Sequence, residues 1–171
     1  MKNKNNKTTA GFTLVELILY VGIASVILLV ISLFLATVLE SRVKNQTIAE
    51  VDQVATQAIQ IITQTIRNSD SINSPLAGQS SETLSLKLSD LSKNPTNFDL
   101  AFGSIRIIEG TAQPVPITGP QVIVSNLSFQ NLSRPDTVGL VRIQFTLTYA
   151  SSSGRNEMDY TKDFYTSASL R

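Results

Sequence analysis

The chain has 171 residues, with 14 Lys and Arg against 13 Asp and Glu, a formal net charge of +1, and no histidine, cysteine or tryptophan. That is one domain's worth of chain on a prior of about 100–200 residues, enough to bury a core without disulfides. Thiol chemistry and Cys/His metal sites are excluded by the missing residue types, and the near-neutral balance carries no footprint of a nucleic-acid surface, so nucleic acid is not an expected partner.

The first stretch, MKNKNNKTTAG, is polar and holds Lys2, Lys4 and Lys7 with no acid. Subtracting these three from 14 leaves 11 basic against 13 acidic side chains, a net of −2, so the slightly basic character belongs to this leader. Gly11-Phe12-Thr13-Leu14-Val15-Glu16 follows, and Glu16 is the lone ionised group at the head of an apolar run. From Leu17 to Leu39 the run is 23 residues without a charge. As a helix it would span about 34 Å at about 1.5 Å per residue, enough to cross a hydrocarbon core of about 30 Å. The lysine excess before it predicts a cytoplasmic N-terminus, with the rest of the chain outside the membrane. Arg42 and Lys44 after the span weaken that bias only modestly, because Glu40 offsets them. A removable secretory signal is a poor description. Such signals have an apolar region of about 7–15 residues with the cleavage site after it.

The helical period continues from Glu40 to about Ser69 without proline or glycine. Val43, Thr47, Val51, Ala55, Ala58, Ile62 and Ile66 recur at three- or four-residue spacing and form one face. Gln53, Gln57, Gln60 and Gln64 fall on the opposite face, and Ile61 falls with them as an expected exposed residue. Glu40 and Lys44 have the spacing of a favourable i,i+4 pair. The spacing predicts one helix from Phe12 to about Asn68, its first half in lipid and its second half amphipathic. Stop signals gather at Asn68-Ser69-Asp70-Ser71, with Pro75 and Gly78 beyond.

After that the period changes to two. Thr83 to Leu88 alternates as a strand with one buried face, and Pro95 and Asn97 mark a loop. Phe98 to Glu109 reads as one or two strands broken near Gly103, and Gly110 to Pro120, with its prolines and glycines, as loop. Val122-Ile123-Val124 with Leu127 and Phe129 forms a further strand. Val138 to Tyr149 is the longest, with Val141, Ile143, Phe145, Leu147 and Tyr149 on one face. Ser151-Ser152-Ser153-Gly154 turns the chain into a last strand, Asp159 to Ser169. The expected fold class is α+β: a long N-terminal helix, its first half transmembrane, packing its apolar stripe on an antiparallel β-sheet head. The organisation is a leader over 1–11, a membrane helix over 12–39, an amphipathic half over 40–69, and a β-rich head over 70–171.

The stretch Gly11 to Glu16, set between a basic leader and a spanning helix, resembles the processing motif of type IV pilins and pseudopilins. The resemblance implies cleavage by a prepilin peptidase between Gly11 and Phe12, and N-methylation of the new terminal Phe12. It further implies that Glu16 sets assembly register by pairing with the N-terminal amine of a neighbouring pilin or pseudopilin subunit. The implied partners are the peptidase, other subunits, an inner-membrane assembly platform and membrane lipid. The implied location is a single pass through the inner (cytoplasmic) membrane, followed by assembly into a periplasmic or extracellular filament of a pilus, type II secretion or competence system. Major pilins often carry a C-terminal disulfide and a helix-kinking proline. Here there is no cysteine, and Leu33 stands in the proline's place, which points to a minor pilin or pseudopilin. The segments Ile62 to Ser74, Val122 to Phe129 and Tyr165 to Arg171 are similar to the larger minor pseudopilins of the J or W type.

Two other readings compete. A monomeric anchored binding domain with an uncleaved signal anchor explains the lysines and the apolar length equally well. It does not explain why a glycine and an aromatic residue precede a lone carboxylate at this spacing. An anchored enzyme would have to work with Ser, Lys, Asp and Glu alone, and the G-x-S-x-G elbow is absent. No catalytic residue, cofactor or metal is therefore expected. Asp136, Glu157, Asp159 and Asp163 fit no regular calcium loop, and Arg106, Arg134, Arg142 and Arg155 are scattered rather than clustered. Sequons at Asn45, Asn126 and Asn131 are of the kind any Ser/Asn-rich chain contains.

Overall fold

The apolar and amphipathic periods merge into a single element in the computed structural model, which describes residues 11–135, 137–150 and 160–171. Helix α1 covers Leu14–Arg67, within two residues of the expected ends. The chain divides into two compact units, one up to Arg42 and one from Val43 onward.

In the first unit nearly every apolar side chain is exposed, from Phe12 through Leu39. The second unit opens on the amphipathic part of α1. Its buried residues are Thr47, Val51, Ala55, Ala58, Ile62 and Ile66, the expected stripe less Val43, which is half-buried. The four glutamines are exposed. Ile61 departs from expectation. It is half-buried and packs on the core, because the head wraps more of the helix than a single sheet face would cover. The Glu40–Lys44 pair does not form, and both side chains are exposed. At the helix end the Ser69 hydroxyl donates to the Ile66 carbonyl at 2.7 Å, and the Asp70 N–H passes to the Lys87 carbonyl at 2.8 Å. The chain thus goes straight from helix into sheet.

Among the described residues nine strands follow: β1 Ser71–Ser74, β2 Ser80–Ser81, β3 Leu84–Lys87, β4 Thr96–Ala101, β5 Ser104–Glu109, β6 Val115–Pro116, β7 Val122–Asn131, β8 Leu140–Tyr149 and β9 Thr161–Ser169. The head contains two antiparallel sheets rather than one, ordered β1-β3-β4-β5-β6 and β2-β7-β8-β9. Leu84, Phe98 and Ile107 stand side by side across three strands of the first. Val141, Ile143, Phe145 and Leu147 line the inner face of the second, all fully buried. Phe98 meets Phe129 across the two sheets at 6.5 Å between ring centroids, and α1 contributes Val51, Ala55, Ile62 and Ile66 to the same core.

β6 falls where loop was expected, and β1 and β2 where no particular strand was placed. β1 and β2 are short and rich in serine, with no apolar alternation to betray them. They exist because β3 and β7 offer them partners. β6 contains Pro116, tolerated because it lies at a sheet edge. Asn97, expected in a loop, lies inside β4 between Ser85 and Ile108. The parity change in β7, from Val122 and Val124 to Leu127 and Phe129, is resolved by a bulge between Ser125 and Ser128. Asn126 sits there at φ 52°, a left-handed conformation that asparagine tolerates better than most residues. The turn Ser151 to Gly154 and Asp159, the first residue of the expected last strand, lie outside the described residues.

The break near Gly103 is a two-residue hairpin joining β4 to β5, with Phe102 at φ 54° and Gly103 at φ 70°. Both positive angles suit a primed turn, whose preferred first residue is Asn or Asp. Phe102 is fully solvent-exposed, at 102 % of its reference area, so its ring offsets none of the strain. Phe102→Asn is accordingly expected to stabilise the head by about 1 kcal/mol, read as a higher urea midpoint. A lower midpoint would show that the ring has a stabilising contact.

Candidate functional site

The site is built from the residues at which α1 begins. Gly11, Phe12 and Thr13 precede the helix in irregular conformation, and all three are exposed. Among the described residues nothing lies within 4 Å of where a side chain at Gly11 would project. The Gly11–Phe12 peptide bond therefore sits in accessible chain just ahead of the first turn. Thr13 caps the helix: its Oγ1 accepts from the Glu16 N–H at 3.3 Å, and its carbonyl accepts from the Leu17 N–H at 3.2 Å. The first bond satisfies one of the orphan donors of the first turn, and the second is the first regular bond of the helix. Glu16 occupies the third helical position, where a carboxylate also complements the positive end of the helix dipole. The role of Thr13 was legible in the spacing Thr-x-x-Glu, a capping-box signature. The Phe12 ring meets Tyr20 edge-on at 6.2 Å between centroids.

The run beyond is long and apolar enough to cross a membrane, and none of its most apolar 18-residue window is buried. Its few polar side chains satisfy themselves. Ser25, Ser32, Thr37 and Ser41 donate to carbonyls three or four residues earlier at 2.7, 2.8, 2.8 and 2.9 Å. A hydroxyl paired in this way can face lipid without an unmet donor. No lysine, arginine or histidine lies between Phe12 and Leu39, so within that stretch Glu16 has no cationic side chain to pair with.

In the second unit the charged groups tie the head together. Asp52 on α1 accepts from Lys162 on β9 at 2.8 Å, and the ammonium also lies 5.2 Å from the centroid of the Phe164 ring. The hydrogen bond to Asp52 raises the Lys162 pKa against the opposing cost of burial. The negative charge of Glu50 pushes the Tyr149 phenol up. Arg106 and Asp99 face each other across the β4–β5 hairpin through two hydrogen bonds, 2.9 and 2.5 Å, which hold the guanidinium's proton more tightly. This pair follows from the register about Phe102 and Gly103, so it could have been read once the turn was placed.

The residues weighed for other chemistry are not brought together. Asp163 accepts from the Thr146 hydroxyl at 2.6 Å, while Asp136, Glu157 and Asp159 lie outside the described residues. Arg106 is committed to Asp99 on the first sheet, and Arg142 lies near Gln130 on the second. Arg155 is also outside the described residues. Asn131 is buried, its amide donating to the Pro75 carbonyl at 2.8 Å, which leaves no room for a glycan there. No family model, curated protein or solved structure matches the chain.

Proposed function

We propose that the chain is a structural subunit, a minor pilin or pseudopilin, anchored by its N-terminal helix until it assembles through that helix into a filament. The observation that carries this reading is the pairing of an accessible Gly11–Phe12 bond with a capped helix whose most apolar window is unburied among the described residues. An anchor needs the apolar stretch alone. A subunit that leaves the bilayer needs something to replace lipid around Leu17 to Leu39, and a bundle of like helices supplies it. In this reading a prepilin peptidase cuts after Gly11, Phe12 becomes the methylated terminus, and Glu16 meets the amine of the next subunit. The head serves as a folded body on the filament rather than as a catalyst. The pilus, secretion and competence systems use the same device.

The test is processing. Co-expression with a prepilin peptidase is expected to remove residues 1–11 and add one methyl group at Phe12, seen as a single species by intact-mass measurement. Gly11→Val is expected to reduce cleavage at least tenfold, because the enzyme must draw the peptide bond close and a branched side chain obstructs that approach. A membrane-inserted species that still begins at Met1 would leave the uncleaved anchor as the correct reading.

A further inference from the structure

The last strand of the second sheet has an open side. β9 pairs with β8 without interruption from Thr161 to Ser169, and among the described residues no strand pairs with its other edge. Which backbone groups face that edge follows from two hydrogen bonds. The Leu170 N–H donates to the Gly139 carbonyl at 2.8 Å, and the Tyr149 N–H donates to the Tyr160 carbonyl at 2.9 Å. Residues 160 and 170 therefore turn toward β8, and so do the even-numbered residues between them, because an antiparallel ladder alternates. The N–H and C=O groups of Thr161, Asp163, Tyr165, Ser167 and Ser169 point the other way.

Native edges are usually blunted by proline, a bulge, charge or brevity. β9 is nine residues long, contains no proline or glycine, and has no bulge. Its charges, Lys162 and Asp163, are confined to its beginning, and Phe164 to Ser169 carries none. Alongside that uncharged part runs a groove of about 860 Å³ between β9 and α1, walled by Ile59, Thr63, Gln64 and Arg67 on the helix and by Thr166 and Leu170 opposite. Thr63 Oγ1 is buried in this wall without a hydrogen-bond partner. Arg67 and Arg171 supply positive charge, and among the described residues no acidic side chain lines the groove.

We propose that this edge and groove bind an extended, acidic peptide segment of a partner protein by strand addition. The peptide backbone pairs with Tyr165, Ser167 and Ser169, its alternate side chains enter the groove toward Thr63, and a carboxylate lies against Arg67 and Arg171. Strand addition draws affinity from main-chain hydrogen bonds and selectivity from the pockets beside them. The cations select an acidic sequence over a basic one. The inference does not depend on filament assembly, since it uses only the second unit.

The test uses the full chain in detergent micelles and a capped seven-residue probe alternating valine with threonine and glutamate, with a lysine-for-glutamate version as comparison. The glutamate peptide is expected to bind at least tenfold more tightly and to slow amide exchange at Tyr165, Ser167 and Ser169. Ser167→Pro removes an outward N–H that the β8 ladder does not use, and should weaken binding at least tenfold. Ser167→Ala should bind like the parent. Arg67→Glu should reverse the preference between the two peptides. Equal affinity for both peptides, or no exchange protection on β9 of the unmodified chain, overturns the proposal whatever the proline variant does. Protection of the same amides by self-association without peptide would identify a second copy as the occupant and equally overturn it.

Discussion

Ile62→Asp is expected to lower the melting temperature of the head by more than 10 °C, or to leave it unfolded. Ile62 is fully buried one turn from Ala58 and Ile66, which are also fully buried, within the core shared by α1 and both sheets. No cation lies in that core to receive a carboxylate, and a buried charge without a partner costs on the order of 3–5 kcal/mol. Domains of this size are stable by only about 5–15 kcal/mol in total. Circular dichroism melts of the full chain in micelles measure the effect, and Gln60→Asp provides the comparison. Gln60 is exposed on the same helix, so its substitution should change stability by no more than about 0.5 kcal/mol. Equal melting temperatures for the two variants would show that the stripe is not the joint between helix and sheets.

The second large effect concerns Glu16 and rests on the proposed filament role. Glu16→Gln and Glu16→Val should both insert and be cleaved after Gly11, yet enter filaments at a small fraction of the parent level. Within a bundle of like helices the carboxylate leaves water, and the only cation available to it is the N-terminal amine of a neighbouring Phe12. Losing one partner of such a pair typically costs about 3–5 kcal/mol, at least 100-fold in association at about 1.4 kcal/mol per decade. The capping geometry makes glutamine the cleaner variant. Thr13 Oγ1 caps the backbone N–H of residue 16 whatever its side chain, and Gln serves at the third helical position of a capping box nearly as well as Glu. A loss with glutamine is therefore a loss of charge and not of helix. Immunoblots of sheared filament fractions, with total membranes as reference, give the measurement. Normal incorporation of both variants would leave Glu16 a cap-region carboxylate and remove it from assembly.

The β7 strand illustrates what was half-legible. The change of parity from Val122 and Val124 to Leu127 and Phe129 is written in the sequence and requires an extra residue somewhere between them. Only the pairing with β8 places it at Asn126, opposite Phe145. The stretch Gly11 to Glu16 is the reverse case. Its residues stand out in the sequence, and the structure adds their setting: exposed chain, a threonine cap, and a helix whose hydroxyls are already paired.

Local spacing was enough to set the extent of α1, the end of the helical period at Ser69, and the fully buried stripe from Thr47 to Ile66. These are decided by neighbours within a few positions, through the 3.6-residue and two-residue spacing of apolar side chains and the caps that end an element. Tertiary structure alone decided that the head is two sheets, that Ser71–Ser74 and Ser80–Ser81 are strands at all, and that Ile61 is half-buried. It also decided that β9 pairs with β8 along one edge and, among the described residues, with no strand along the other. Each of these depends on hydrogen-bond partners far away in the chain, whose pairing reflects how the whole apolar surface is buried at once. A short polar segment carries no local record of the strand that will recruit it.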